Sequence, residues 1–174
     1  MATKNYAYIG KGIIKLQKSG GAAVDVGNAS ALSFAITEDQ IKLPNYRTLG
    51  GGSYAAVSRI SEVQVQMTLH DLSPENLAMV LFGTSTTANK THTIEALVTG
   101  AQEFTMTFEG MNEANTGQEV NVTIHRVKIG ATSDLGLIGD DFASLEVTGE
   151  VLLDSSITTE GLSQFFKIEI VDPD

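Results

Sequence analysis

A stretch of strict two-residue alternation constrains this chain more than anything else in it. Within residues 57–69, Val63, Val65, Met67 and Leu69 fall on one side, and Glu62, Gln64, Gln66 and Thr68 fall on the other. That is the period of a pleated strand with one dry face and one wet face; a helix would spread these side chains round its circumference. Four further segments carry the same signature. Residues 31–37 set Leu32, Phe34 and Ile36 against Ser33, Ala35 and Thr37. Residues 102–109 set Phe104, Met106 and Phe108 against Glu103, Thr105, Thr107 and Glu109. Residues 119–125 set Val120, Val122 and Ile124 against Glu119, Asn121, Thr123 and His125. Residues 144–153 set Leu145, Val147, Val151 and Leu153 against Glu146, Thr148 and Glu150. Weaker strand patterns run near 8–16 and 164–171. The repeated pattern predicts a mainly β chain: an antiparallel β-sandwich or barrel-like domain with one wet face per strand.

A single short helix is expected at about 73–82, flanking the sheet. Ser73 reads as its N-cap, Pro74 as its first residue and Glu75 as an acid at the positive helix end. Leu77, Ala78, Val80, Leu81 and Phe82 give it a packing face, and Gly83 reads as its C-cap. Three stretches read as loops. Residues 84–92 are rich in Thr, Ser, Asn and Lys, and residues 130–141 in Gly and Asp. Residues 38–56, with Leu43-Pro44-Asn45-Tyr46 and the run Gly50-Gly51-Gly52, form a long early loop, a kind of segment that is usually functional or mobile. At 174 residues, with no internal repeat, the chain fits one domain spanning 1–174.

Composition removes several function classes. The net charge is −10, from 21 acidic and 11 basic residues, which argues against a grip on nucleic-acid phosphates. Charged residues are only 18 % of the chain; small polar residues have replaced them, as suits repeated subunit contacts or an ordinary β protein. The absence of cysteine excludes disulfides, thiolate metal sites and cysteine nucleophiles. No apolar run approaches the roughly 20 residues of a membrane span, and Met1–Tyr6 shows no hydrophobic leader, so neither a membrane partner nor export by that route is expected.

No catalytic or cofactor set emerges. His70, His92 and His125 lack ligand spacing. Gly50-Gly51-Gly52-Ser53 lacks the Gly-Lys-Ser/Thr ending of a phosphate loop and reads as a hinge. Asp134, Asp140 and Asp141 lack the ligand order of a calcium loop. Glu103 and Glu109, six residues apart on one strand face, would stand about 20 Å apart, too far for a glycosidase pair. The acceptor triplets at Asn28, Asn89 and Asn121 carry no weight without a secretory leader. No enzyme, metal or cofactor is expected.

The polar faces of the four cleanest strands are more informative. Ser33, Thr37, Glu62, Gln64, Gln66, Thr68, Glu103, Thr105, Thr107, Glu109, Glu119, Asn121, Thr123 and His125 include no Lys or Arg. Gathered on one sheet they would make a hydrophilic, weakly acidic surface that repels a passing polyanion. The plain alternative is the solvent face of a sandwich that happens to carry few basic residues.

From about residue 28 to 83 the sequence resembles bacteriophage major tail tube proteins. The resemblance rests on Val26-Gly27-Asn28, Leu43-Pro44-Asn45-Tyr46, Gly50-Gly51-Gly52-Ser53-Tyr54, the strand from Ile60 to Leu69, Asp71-Leu72-Ser73-Pro74-Glu75-Asn76-Leu77-Ala78, and Leu81-Phe82-Gly83. It covers about a third of the chain. It implies a β-sandwich with a flanking helix, shared with type VI secretion tube proteins, whose copies close into hexameric rings. Those rings stack into a hollow tube that conducts DNA during ejection. The implied partners are further copies of the chain, the tape measure protein, tail terminator and baseplate proteins and, in a contractile tail, a sheath. Genomic DNA would pass through without tight binding, and the implied location is the virion tail, assembled in the host cytoplasm. On this resemblance Glu62, Gln64, Gln66, Glu103, Thr105, Thr107, Glu109, Glu119, Asn121 and Thr123 would face the lumen. Leu43, Pro44, Tyr46, Leu49, Gly50, Gly51, Gly52 and Tyr54 would form a loop reaching neighbouring subunits. A non-catalytic binding module would instead need exposed aromatics, and the chain has no Trp, 4 Tyr and 7 Phe.

Overall fold

A computed structural model describes residues 5–114 and 117–173; residues 1–4, which open the stretch read for a leader, lie outside them. The fold is mainly β, with ten strands and one helix among the described residues. Strands β1 (Gly10–Lys18), β2 (Ala23–Asp25), β3 (Ala29–Pro44), β4 (Ser53–Leu69), β7 (Glu103–Asn112), β8 (Glu119–Ile129), β9 (Leu145–Val151) and β10 (Phe166–Val171) form one antiparallel eight-stranded sheet. Its order is β2-β1-β7-β8-β9-β4-β3, with β10 also on β8. Strands β5 (Thr84–Ala88) and β6 (Thr91–Glu95) form a separate hairpin beside helix α1 (Pro74–Val80).

The sheet folds on itself as a β-sandwich, and the alternating apolar positions supply its core. Ile14, Leu16, Val63, Val65, Met67, Leu69, Phe104, Met106, Val122, Ile124, Val127, Ile129, Leu145, Val147 and Val151 are all buried in one cluster. The fold-over happens at β8. Phe104 pairs with Val127 but Met106 with Ile124, so His125 and Arg126 together oppose Thr105. Before this bulge β8 pairs with β10; after it, β8 pairs with β9. A bulge bends and twists its strand, and strands that change sheets through bulges make the corners of sandwiches. Phe34 of β3 stacks on Phe166 of β10 with centroids 5.2 Å apart, closing the open side. At the fold-over Gly149 lies opposite Val65, and a Cβ there would stand 2.7 Å from Val127 Cγ2 and 3.0 Å from Val65 Cγ1.

The motif between Val26 and Asn76 works as a clasp. Ser73 caps the helix by accepting the Asn76 amide N–H at 3.1 Å. The buried Asn76 side chain donates to the carbonyls of Val26 and Asp71, both at 2.8 Å. Asp71 Oδ2 accepts the Asn28 amide N–H at 2.9 Å, and the His70 amide donates to Asn28 O at 2.8 Å. Gly27, at φ +81, sits where any Cβ would overlap the Asp71 carboxylate. These residues tie the start of β3 to the end of β4, and the helix to both.

Three expectations need correction. The stretch 38–56 is not a loop: β3 and β4 continue into it, leaving a turn of only residues 45–52. Both faces of this extension are exposed, so no burial alternation marks it as strand. Residues 84–92 are likewise the β5–β6 hairpin, turned by Asn89 and Lys90, both at positive φ as a type I′ turn requires. The helix ends with Phe82, not Gly83, in the left-handed conformation; Phe82 N–H bonds Met79 O and Gly83 N–H bonds Ala78 O, a Schellman closure. Gly83 is required for a different reason, since its Cβ would lie 2.5 Å from Glu95 O. Residues 130–141 remain loop apart from one bridge, Leu135 to Leu145. Among the described residues no helix is long and apolar enough to cross a membrane.

Candidate functional site

Two surfaces collect the residues singled out by the sequence. The first is the face of the sheet opposite the core. Glu62, Gln64 and Gln66 lie on β4, Glu103, Thr105, Thr107 and Glu109 on β7, and Glu119, Asn121 and Thr123 on β8, each alternating with a core-facing neighbour. Cross-strand register sorts them into rows. Glu103 faces Lys128, Lys128 faces Glu150, and Glu150 faces Gln64. Lys15, Thr107, Thr123 and Lys167 form a second row, and Glu109, Asn121 and Glu169 a third. Gln66 faces Thr148 on one side and Ser33 on the other. Glu119, opposite Val171, stands apart at the start of β8.

This face is not free of positive charge, contrary to the sequence expectation. The four strands are not contiguous: β9 lies between β4 and β8, and β1 and β10 flank the others. The added strands bring Lys15 and Lys167, and β8 beyond its bulge brings Arg126 and Lys128. Lys15 Nζ meets Glu109 Oε1 at 2.6 Å, Arg126 meets Glu103 Oε2 at 2.7 Å, and Lys167 meets Glu169 at 3.0 Å. The hydrogen bond and charge of Glu103 raise the Arg126 guanidinium pKa above its ordinary value. Each of these bases sits beside an acid, and Glu62, Glu119, Glu146 and Glu150 add to the acid side. The face is therefore largely polar and modestly acidic, with Lys15, Arg126 and Lys167 ion-paired and Lys128 flanked in register by Glu103 and Glu150. Thr105 and Asn121 are partly engaged: Thr105 Oγ1 donates to His125 O at 3.1 Å, and Asn121 Oδ1 accepts the Gly110 amide at 3.1 Å. Arg126 and Lys128 escaped the sequence reading because the period-2 pattern breaks at His125.

The second surface is the outer part of the β3–β4 hairpin, residues 38–60. A bulge at Ser61 separates it from the core: Thr37 pairs with Glu62 but Glu38 with Ile60, and Ser61 Oγ donates to Thr37 O at 3.1 Å. Beyond the bulge the polarity of the two faces is largely exchanged, although Asp39 and Arg59 pair on the newly apolar side and Ile60 faces Glu38 on the other. Ile41 and Val57 pair, as do Leu43 and Ala55, on the side that nearer the core carries Gln64 and Gln66. Glu38, Gln40, Lys42 and Ser58 occupy the side that nearer the core is apolar. Leu43 and Pro44 close β3, while Tyr46, Leu49, Gly50, Gly51 and Gly52 make the turn and Tyr54 begins the return. The three glycines have φ of 112°, 78° and 97°, a region that residues with a Cβ rarely occupy, and this run reverses the ribbon. Tyr46 is 82 % and Leu49 fully exposed, and Ile41, Leu43, Tyr54, Val57 and Ile60 are each more than half exposed. The sequence signal for the apolar stripe was present in Ile41, Leu43 and Val57, but it is out of phase with the core pattern.

A groove of about 450 Å³ lies between β1, β2 and α1. Its buried polar side chain, Asn76, is already engaged by the clasp. His92 Nδ1 lies 2.9 Å from Thr87 Oγ1 on the small hairpin. Among the described residues no group of three or more His, Asp or Glu side chains is placed to hold a metal ion.

A family model described as "Protein of unknown function UCP028589" matches residues 7–98 and 87–169 of this chain. The chain belongs to that family. Comparison with curated proteins found no match.

Proposed function

We propose that this chain is a structural subunit that assembles with copies of itself into rings stacked as a hollow tube, as in a bacteriophage tail. The carrying observation is the outer β3–β4 ribbon, an ordered extension with a stripe of large apolar side chains that none of the described residues covers. Contiguous exposed apolar surface on a soluble domain marks an interaction site. An isolated two-stranded ribbon is at best marginally stable in water, so docking on a neighbour gives this one a reason to persist. A repeated head-to-tail contact then closes into a ring or propagates as a stack. In this reading the polar sheet face lines the lumen. Lys15, Arg126 and Lys167 are paired with carboxylates and Lys128 stands between Glu103 and Glu150 in register, so a polyanion sliding past meets weak net repulsion. The tape measure, terminator, baseplate and sheath proteins would be the further partners, and the virion tail the location.

Negative-stain electron microscopy of the purified full chain at high concentration tests the assembly. Rings or stacked tubes are expected; uniform monomers would overturn it. The lumen assignment has its own test. Glu62→Lys with Glu119→Lys adds cations without removing the partners of Lys15 and Arg126. Virions carrying both should assemble normally and eject DNA more slowly, whereas an unchanged ejection rate would remove this face from the lumen.

A further inference from the structure

The ribbon has an apolar, basic tip, and the opposite end of the same strand carries its complement. Residues 40–58 contain Lys42 and Arg47 and no acid, while Arg59 lies opposite Asp39 at the base. Residues 131–144 contain Asp134, Asp140 and Asp141 and no base. That second segment also exposes large apolar side chains: Leu137, Ile138 and Phe142, with Ile138 fully exposed. Leu135 bridges to Leu145, and Leu145 pairs with Leu69, so this loop sits at the inner end of β4. The ribbon turn sits beyond Ser53 at the outer end. At ~3.3 Å per residue the two ends of β4 are about 50 Å apart, too far to meet within one molecule.

We infer that the ribbon tip of one copy docks on the 131–144 loop of the next copy. This rests on the self-assembly reading and names the receiving surface. The apolar side chains of both segments supply contact area, and the opposite charges set register and exclude tip-to-tip and loop-to-loop pairing. Because donor and acceptor lie at opposite ends of one strand, the contact is head-to-tail and gives the assembly a direction along β4.

The chain has no cysteine, so single thiols report the contact cleanly. Leu49→Cys and Ile138→Cys are made separately and mixed under mild oxidation; both sites are fully exposed, and melting temperatures verify the fold. The expected product is the mixed disulfide dimer, well above the roughly twofold excess over either homodimer that random pairing of equal amounts gives. The double variant should give a covalent ladder. Asp140→Lys with Asp141→Lys should weaken self-association by at least about tenfold in sedimentation, since like charges meet the tip. If the unmodified chain assembles but the mixed dimer stays at or below the random twofold ratio to either homodimer, the pairing is overturned and the assembly reading stands. If the unmodified chain sediments as a monomer at every concentration, both are overturned.

Discussion

The two halves of the β3–β4 ribbon have the same secondary structure and opposite physical reasons for it. In the inner half, Val63, Val65, Met67 and Leu69 are buried while Gln64 and Gln66 face outward. There the core selects the strand and its register, because a one-residue slip would exchange the faces. In the outer half neither face is buried, and ladder hydrogen bonds, the Ser61 bulge and the glycine turn define the geometry. The comparison teaches that burial and pairing are separable. One half is there to hold the domain together; the other projects apolar side chains that the domain does not need.

The same substitution placed in each half gives the sharpest contrast. Val65→Asp buries an unpaired carboxylate in a fully closed site, a penalty of several kcal/mol against a total stability of roughly 5–15 kcal/mol. Loss of cooperative unfolding by circular dichroism is expected. Val57→Asp should keep the melting temperature within about 2 °C, as surface changes do, while reducing self-association. A Val57→Asp protein that fails to fold would break the comparison.

Truncation comes next in size. Gln40 and Ser58 are register partners, so an Asn-Gly turn joining them closes the ribbon early without altering the core. The expected outcome is a native melting curve and no rings or tubes in the microscope. Gly149→Val acts on the inner half alone. Its methyl groups press on Val127 and Val65, and overpacking of this kind costs about 1–3 kcal/mol, read as a lowered denaturation midpoint. Assembly at temperatures below unfolding should survive.

The smallest effect belongs to neither half. Asp154 accepts hydrogen bonds from the Ser156 amide and hydroxyl, which lowers its pKa below the ordinary 3.8. Its contribution is therefore complete above that value and is lost as pH falls through the folded pKa. Asp154→Asn should lower the melting temperature slightly at neutrality, where that contribution is complete, and leave it unchanged well below about pH 4, so the dependence on pH flattens.

Legibility followed burial. Every strand with one buried face was visible from its alternation, and Ser73-Pro74 marked the helix start. The β5–β6 hairpin was not visible, because Thr84–Ala88 is exposed on both faces and its Thr-Ser composition reads as loop. Part of the β8 face was missed because the bulge at His125 and Arg126 breaks the period. Asn76, Asp71 and Gly27 were read as part of a resemblance; their hydrogen bonds give them a packing role at the clasp.

The alternation of apolar and polar side chains by itself determined that this chain is mainly β with one dry face per strand, since each strand's own covalent period decides which side chains seek the core. Tertiary structure alone decided which strands are neighbours. That choice set β9 between β4 and β8, brought Lys15, Arg126 and Lys167 against Glu109, Glu103 and Glu169, and sent the basic and acidic segments to opposite ends of β4. Such pairings join residues distant in sequence, and no local period encodes them.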